Sequence, residues 1–404
     1  MDSLTQDYDN HPAFSFKEQP YSIDLSKVQE VDLNYKRLVS ASSKVRALIY
    51  EKTKKTLETL VTDIFNNLKL QVRDQYEWQF LDELYSQSIR LLNEELQLYR
   101  TTETEKYTST TEVPIFNELI KNHFIFHKLS KTAIGKIKNI SSGQIKELKK
   151  RAAKGLLKRE DLSFNSGRFI SKIVKVLNRE YRRHGILQAV SAYMGKSYEV
   201  GGLALELSVP QSTWWKNILS NSDSPRTMYA HIDESKRYPK AIVYLSDVTI
   251  ANGPSSCYPR VYEAMKLNVL QEVIGRVIGI VGSQSDSILN GYYGKAYHQS
   301  MSSEKFRQHF MRLPTVLRFN SHLGWDILPG SDIEKELLSV EQIMLGEAGT
   351  NIVFDGARLF HRGGLIESGE RIVLQVVFSE KPILFRSLVS LMKRVFLKFR
   401  SVIK

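Results

Sequence analysis

Residues 350–380 read TNIVFDGARLFHRGGLIESGERIVLQVVFSE, and the reading of this stretch decides the fold. Its spacing predicts two strands joined by a tight connection. An apolar run from Ile352 to Phe354 leads into Arg358-Leu359-Phe360-His361, a glycine-rich turn follows, and Arg371 to Phe378 forms the second strand. Side chains alternate along a strand, so Arg371, Val373, Gln375 and Val377 share one face. An arginine that opens such a face and shares it with valines points toward an interior. Burying a guanidinium is costly unless an anion meets it, so a ligand is to be sought there.

Working outward, the complementary residues lie far upstream, in His231-Ile232-Asp233. Two apart in an extended segment, His231 and Asp233 project to the same side, so an imidazole and a carboxylate can meet one ion from one short piece of backbone. With His361 they make two histidines and one carboxylate. Such a set leaves coordination positions open on one side, as in non-haem Fe(II) oxygenases. Arg371 then supplies the anion clamp that a dicarboxylate cosubstrate needs. Tyr244 and Gln375 point inward in the same strand register and are candidates to bond that cosubstrate.

From about residue 185 to 380 the chain resembles the phytanoyl-CoA dioxygenase family of Fe(II)/2-oxoglutarate oxygenases. The resemblance rests on His231-x-Asp233, on AIVYLSDVTIANGP (241–254), on LGWDILPGSD (323–332) and on FDGARLFHRGG followed by GERIVLQVVF. It implies that His231, Asp233 and His361 hold iron and form the catalytic centre. It also implies that Arg371 binds the far carboxylate of 2-oxoglutarate, with O2 as the second cosubstrate. Many relatives follow Asn-Gly-Pro with Pro-Gly-Ser-His, where this chain has Ser255-Ser-Cys-Tyr-Pro-Arg260, and Gly363 stands where some carry a hydroxyl residue. Asp233 argues against the halogenating branch, in which a small residue replaces the carboxylate.

Length and charge bound the rest. At 404 residues the chain exceeds a usual single domain. Its single cysteine, Cys257, excludes an intrachain disulfide framework. No signal peptide or apolar span long enough to cross a bilayer is visible, which predicts a cytoplasmic protein, soluble or peripheral at a membrane. Residues 34–102 carry apolar positions at helical spacing, among them Val45, Leu48, Leu57, Leu60 and Val61, then Phe80, Leu84 and Leu92, which predicts a hairpin of two long helices. Residues 101–112 read as a linker, and His123 and His127 as structural or surface histidines.

Residues 131–184 are strongly basic and account for nearly all of the net charge of +13. Such a field attracts nucleic acid, an anionic membrane or a phosphorylated substrate. No zinc finger, RNA-recognition signature or stacking motif accompanies it, so nucleic acid is not the expected partner. Within it, 167–183 has an apolar stripe through Phe169, Ile173, Val176 and Leu177 and predicts a helix packed on the barrel. Residues 382–404 place Leu384, Leu388, Val395, Phe396 and Phe399 on one helical face and Arg386, Lys393, Arg394 and Lys398 on the other, with no acid after Glu380. That pattern fits either an in-plane membrane helix or a helix docked on the protein.

The expected fold is α+β: a double-stranded β-helix (jelly-roll, cupin-like) catalytic core, an N-terminal helical extension and a C-terminal amphipathic helix. The expected domains are 1–112, 113–381 and 382–404. The expected activity is that of an Fe(II)/2-oxoglutarate-dependent dioxygenase, hydroxylating a small-molecule or lipid-type substrate with release of succinate and CO2. Two alternatives stand beside it: a non-oxidative metal enzyme on the same barrel, and an inactive barrel that acts as a binding protein.

Overall fold

The structure is a computed structural model. It describes residues 24–40, 43–70, 114–212, 230–233, 238–265, 331–364 and 366–380, with single positions near 4–10 and 310–330. Helices α1 (Leu25–Ser40) and α2 (Ser43–Leu70) come first, then α3 (Pro114–Asn122), β1 (Phe124–Lys128), α4 (Lys131–Ala153) and β2 (Ser163–Phe164). They are followed by α5 (Arg168–Arg183), α6 (Ile186–Met194), β3 (Tyr198–Ser208), β4 (Lys240–Tyr244), β5 (Ser256–Tyr258) and α7 (Val261–Ala264). The last are α8 (Asp332–Val340), β6 (Gln342–Ile343), β7 (Thr350–Phe354), β8 (Phe360–Arg362) and β9 (Arg371–Glu380).

The strands form two antiparallel sheets among the described residues, one of order β1-β7-β4-β9-β3-β2 and one of order β6-β5-β8. Residues 350–380 therefore form three strands, not the two expected. β7 and β9 belong to the large sheet, while β8 crosses to the small one and pairs with β5, placing His361 opposite Cys257. The apolar run at 352–354 and the pair Phe360-His361 read as one strand because nothing local separates them. The turn between them is made by Asp355. Its carboxylate accepts from Ala357 N (3.1 Å) and from Tyr193 Oη (2.9 Å) and pairs with Arg358.

Period-two alternation sorts the faces of the large sheet. On β9, Ile372, Leu374, Val376 and Phe378 join the core with Leu203, Leu205 and Leu207 of β3 and with Ile173, Leu177 and Tyr181 of α5. A helical layer thus covers that side. The opposite face carries Val373, Tyr244, Ile352 and Phe354, which pack with Cys257, Leu359 and Met344 from the small-sheet side. Tyr258 and Phe360 on the outer side of the small sheet pack with Val261, Ile333 and Leu337 of α7 and α8. The longest pairing, β3 with β9, carries a bulge between Val200 and Gly202, and a Cβ on Gly201 would overlap the Ser379 side chain.

The helix expected at 167–183 is α5, with Ile173 and Leu177 fully buried. The N-terminal periodicity belongs to α1 and α2, bridged by Lys52 and Glu30 at 2.5 Å, with Leu57, Leu60 and Val61 buried. Val45 and Leu48 are exposed, contrary to the amphipathic reading. The second expected helix around 80–99, the linker at 101–112 and the amphipathic segment 382–404 lie outside the described residues. No helix among the described residues is long and apolar enough to cross a membrane.

His123 and His127 both have structural partners. His123 Nδ1 lies 2.9 Å from Tyr193 Oη, whose proton goes to Asp355, so the imidazole donates and the phenol accepts. The His127 ring lies 4.6 Å from that of His184, near the buried Glu180. Burial, and then the neighbouring His184, push the His127 pKa below its ordinary 6.5, with Glu180 opposing. A base depressed in the folded state contributes stability above its unfolded pKa, and that stability is lost as pH falls through it. The thermal midpoint is therefore expected to drop as pH is lowered from 7 toward 5, and His127→Gln should flatten that drop. A midpoint that falls equally in both proteins would assign the acid sensitivity elsewhere.

Candidate metal centre

His231, Asp233 and His361 come together between the sheets. Their candidate ligand atoms all lie within 4.8 Å of one another, and they form the one such group of three among the described residues. His231 Nε2 is 3.8 Å from Asp233 Oδ1, and His361 Nε2 is 3.8 Å from Asp233 Oδ2. Backbone pairing sets this convergence. His231 and His361 form an isolated antiparallel bridge with N–H···O distances of 2.8 and 3.0 Å, and Asp233 N donates to Gly356 O at 2.8 Å. Ala230 and Ile232, the alternate residues, face the core beyond the small sheet. The extended His-x-Asp segment thus lies as its alternation predicts.

The ring tautomer of His361 follows from one contact. Its Nδ1 lies 2.8 Å from Leu359 O, and a carbonyl can only accept, so Nδ1 carries the proton and Nε2 keeps its lone pair for an ion. Burial, then repulsion from His231, hold the imidazolium form down to a pKa of about 3. A neutral imidazole is the ligating form, so protons do not compete for this nitrogen near neutral pH. Burial alone would raise the Asp233 carboxyl, but His361, Lys240 and His231 around it bring it down to about 2. The carboxylate is ionised and 14% exposed.

Lys240 is the residue that sequence reasoning missed. Its Nζ lies 2.8 Å from the buried Asp233 Oδ2, so an ammonium meets the carboxylate directly. The signal was present, since Lys240, Ile242 and Tyr244 alternate onto the inner face of β4.

Gly356 closes the back of the site. A Cβ there would overlap the Asp233 carboxylate and come within 3.1 Å of His361 Cε1. Gly356→Ala is therefore expected to displace two of the three ligands. Metal affinity should fall by roughly 10- to 100-fold, the range found when the support of a ligand is lost. Titration with Ni2+ by calorimetry checks this, with circular dichroism confirming the fold; unchanged affinity would mean that the turn simply moves aside.

Arg371 is buried, at 6% exposure, on the inner face of β9. One of its terminal nitrogens donates to Gly253 O, while Nε is buried without a partner. Among the described residues no carboxylate lies within ion-pair reach of it. Burial pushes its pKa down, opposed by Tyr244 and Glu206. A Cβ on Gly364 would overlap the backbone of Gly253 and Pro254, so the Gly-Gly after His361 and the Asn-Gly-Pro loop meet beside the arginine.

Tyr244 and Gln375 share this face, and their donors are already engaged. The Tyr244 hydroxyl donates to Met344 O (2.9 Å) and accepts from Ser255 N (3.1 Å). Gln375 Nε2 donates to Glu206 Oε2 at 2.6 Å. Glu206, on β3, was not singled out from sequence. Burial raises its pKa against Arg159, Arg371 and Gln375. The first part of LGWDILPGSD, Trp325 included, lies outside the described residues. Cys257, opposite His361, is buried with its thiol pushed up to about 12, which makes it inert.

No family model matches the chain, and no curated protein sequence matches it either. Among solved structures it is similar to AviO1 from Streptomyces viridochromogenes Tue57, at 12% identity over 68% of this chain and 96% of that one, with a TM-score of 0.35. It is also similar to the epimerase SnoN in complex with Fe3+, alpha ketoglutarate and nogalamycin RO, at 11% identity over 66% and 82%, with a TM-score of 0.34. A third is HygX from Streptomyces hygroscopicus with nickel and 2-oxoglutarate bound, at 10% identity over 68% and 88%, with a TM-score of 0.35. Likenesses this distant carry no functional weight. The chemistry rests on the residues of this chain.

Proposed function

We propose that the protein is an Fe(II)/2-oxoglutarate-dependent oxygenase of the phytanoyl-CoA dioxygenase type, on a double-stranded β-helix whose two walls are the large and small sheets. The observation that carries this reading is the convergence of two imidazoles and one ionised carboxylate. The donor set fits the ion: two imidazole nitrogens and one anionic oxygen leave part of a coordination sphere for substrates. The fixed His361 tautomer, which leaves Nε2 with its lone pair, fits it as well. Bound there, iron with 2-oxoglutarate and O2 supplies the oxidising chemistry, ending in succinate and CO2.

The chain's own residues do the rest. His231, Asp233 and His361 would hold the ion, and Gly356 keeps the space behind them clear. Arg371 would bind the far carboxylate of 2-oxoglutarate with the donors that nothing else uses. Tyr244 keeps the 255 loop against β4 through its two hydrogen bonds, and Gln375 is held by Glu206. The apolar lining of Ile352, Phe354 and Val373 keeps water from the reacting side. The substrate in this proposal is a small molecule or a lipid-type compound, and the reaction is its hydroxylation.

One observation favours the alternative of a barrel that binds without turnover. Lys240 gives Asp233 a positive partner in the absence of any ion. The two readings separate in one experiment. Purified protein is incubated with Fe(II), ascorbate and 2-oxoglutarate, and succinate is measured with and without candidate substrates. Stoichiometric succinate and CO2, stimulated by substrate, are expected. A protein that binds neither Fe(II) nor Ni2+ would overturn the reading.

A further inference from the structure

We propose that the solvent face of α5 is a docking surface for anionic phospholipid membranes. Arg168, Lys172, Lys175, Arg179, Arg182 and Arg183 are all exposed, and their spacing keeps them on one side of the helix, opposite the buried Ile173, Leu177 and Tyr181. The array runs for roughly 22 Å at 1.5 Å per residue. Among the described residues none of the six has a carboxylate within ion-pair distance. The only acid in α5, Glu180, is turned into the core and accepts from Ser130 N at 2.7 Å.

Such a stripe is unfavourable by itself. Like charges three and four apart on a helix repel, and Arg168 also stands in the first turn, the wrong end of the helix dipole for a cation. Some surface lysines on other elements are paired, as Lys149 with Glu370 and Lys128 with Glu347, while the exposed Lys131, Lys136, Lys138, Lys146 and Lys150 of α4 have no ion pair among the described residues either. On α5 the bare charge forms one continuous single-sign stripe, which a polyanion would relieve.

Three features favour a lipid surface over nucleic acid. The aromatics of α5 are unavailable for stacking on bases, since Tyr181 is buried and Phe169 packs on the core. Leu156, in the segment after α4, is 44% exposed between exposed Lys154 and Lys158, and an apolar side chain among bases suits the headgroup boundary. The sequence of 382–404 repeats the same combination of apolar and basic residues. The stripe also lies on the helical layer, across the large sheet from His231, Asp233 and His361, so docking leaves the metal centre unobstructed.

The test uses the full chain and the triple variant Lys172→Glu/Lys175→Glu/Arg179→Glu, co-sedimented with phosphatidylcholine vesicles with and without phosphatidylserine. Each base near an anionic surface contributes enough that removing three should weaken binding on the order of 100-fold. Binding of the wild type should require phosphatidylserine and fall with salt. Ni2+ affinity should be unchanged in the variant, which reports an intact fold and separates this proposal from the catalytic one. If charge reversal perturbs folding, the Gln/Gln/Gln variant replaces it, with a smaller loss expected. Undiminished binding of either folded variant would assign the membrane contact to 382–404 and overturn the proposal. So would equal binding to neutral vesicles, or binding to duplex DNA or RNA with none to vesicles.

Discussion

Asp233→Ala is expected to lower divalent-metal affinity by at least about 100-fold and to abolish succinate formation. Loss of a group that merely supports a ligand costs 10- to 100-fold, so loss of the only anionic ligand should lie at or beyond the upper end. Asp233 is ionised well below neutral pH, with His361, Lys240 and His231 offsetting the cost of burial. Its removal leaves two imidazoles and the Lys240 ammonium facing an incoming dication. Asp233→Asn keeps the shape and removes the charge, so it should behave nearly as badly. Stability should change far less than affinity, because Lys240 is 36% exposed and can turn to solvent. Calorimetric titration with Ni2+ beside thermal unfolding makes the comparison. Full Ni2+ affinity in Asp233→Ala would remove Asp233 from the ligand set.

How much of this was legible in the sequence depends on the range of the interactions involved. Alternation is local, and it placed His231 and Asp233 on one side and Arg371, Val373, Gln375 and Val377 on one face, where the structure has them. The helix at 168–183 was legible for the same reason, since Ile173 and Leu177 recur at helical spacing. What failed was sheet membership. Nothing between Phe354 and Phe360 announces that the chain leaves one sheet for the other; the change depends on Asp355 meeting Tyr193 from α6, 162 positions away. Lys240 was missed because its partner is fixed by a third element, the Gly356 carbonyl that holds Asp233. Likewise strand alternation alone leaves the donors of Tyr244 and Gln375 open to a ligand, because their partners, Met344 O and Glu206, come from segments distant in sequence.

Arg371→Lys carries the second large effect. The guanidinium is buried, keeps one nitrogen on Gly253 O, and has an Nε with no partner, while Glu206 acts on it only from beyond ion-pair distance. A planar fork with spare donors suits a carboxylate bound through two oxygens, and lysine offers a point charge that cannot reproduce that geometry. A hydrogen bond to a charged group contributes about 1.5–3 kcal/mol, so 2-oxoglutarate affinity should fall roughly 10- to 100-fold. Ni2+ affinity should stay within about twofold, because the three ligand residues are untouched. Restoration by a smaller anion such as oxalate, which does not need the distant clamp, would further locate the loss at the far carboxylate. The assay is 2-oxoglutarate titration of the Ni2+-loaded protein, with the unloaded protein as control. Equal affinity in wild type and Arg371→Lys would make the arginine a structural strut for the Gly253 loop, and the variant would then show its effect in thermal stability instead.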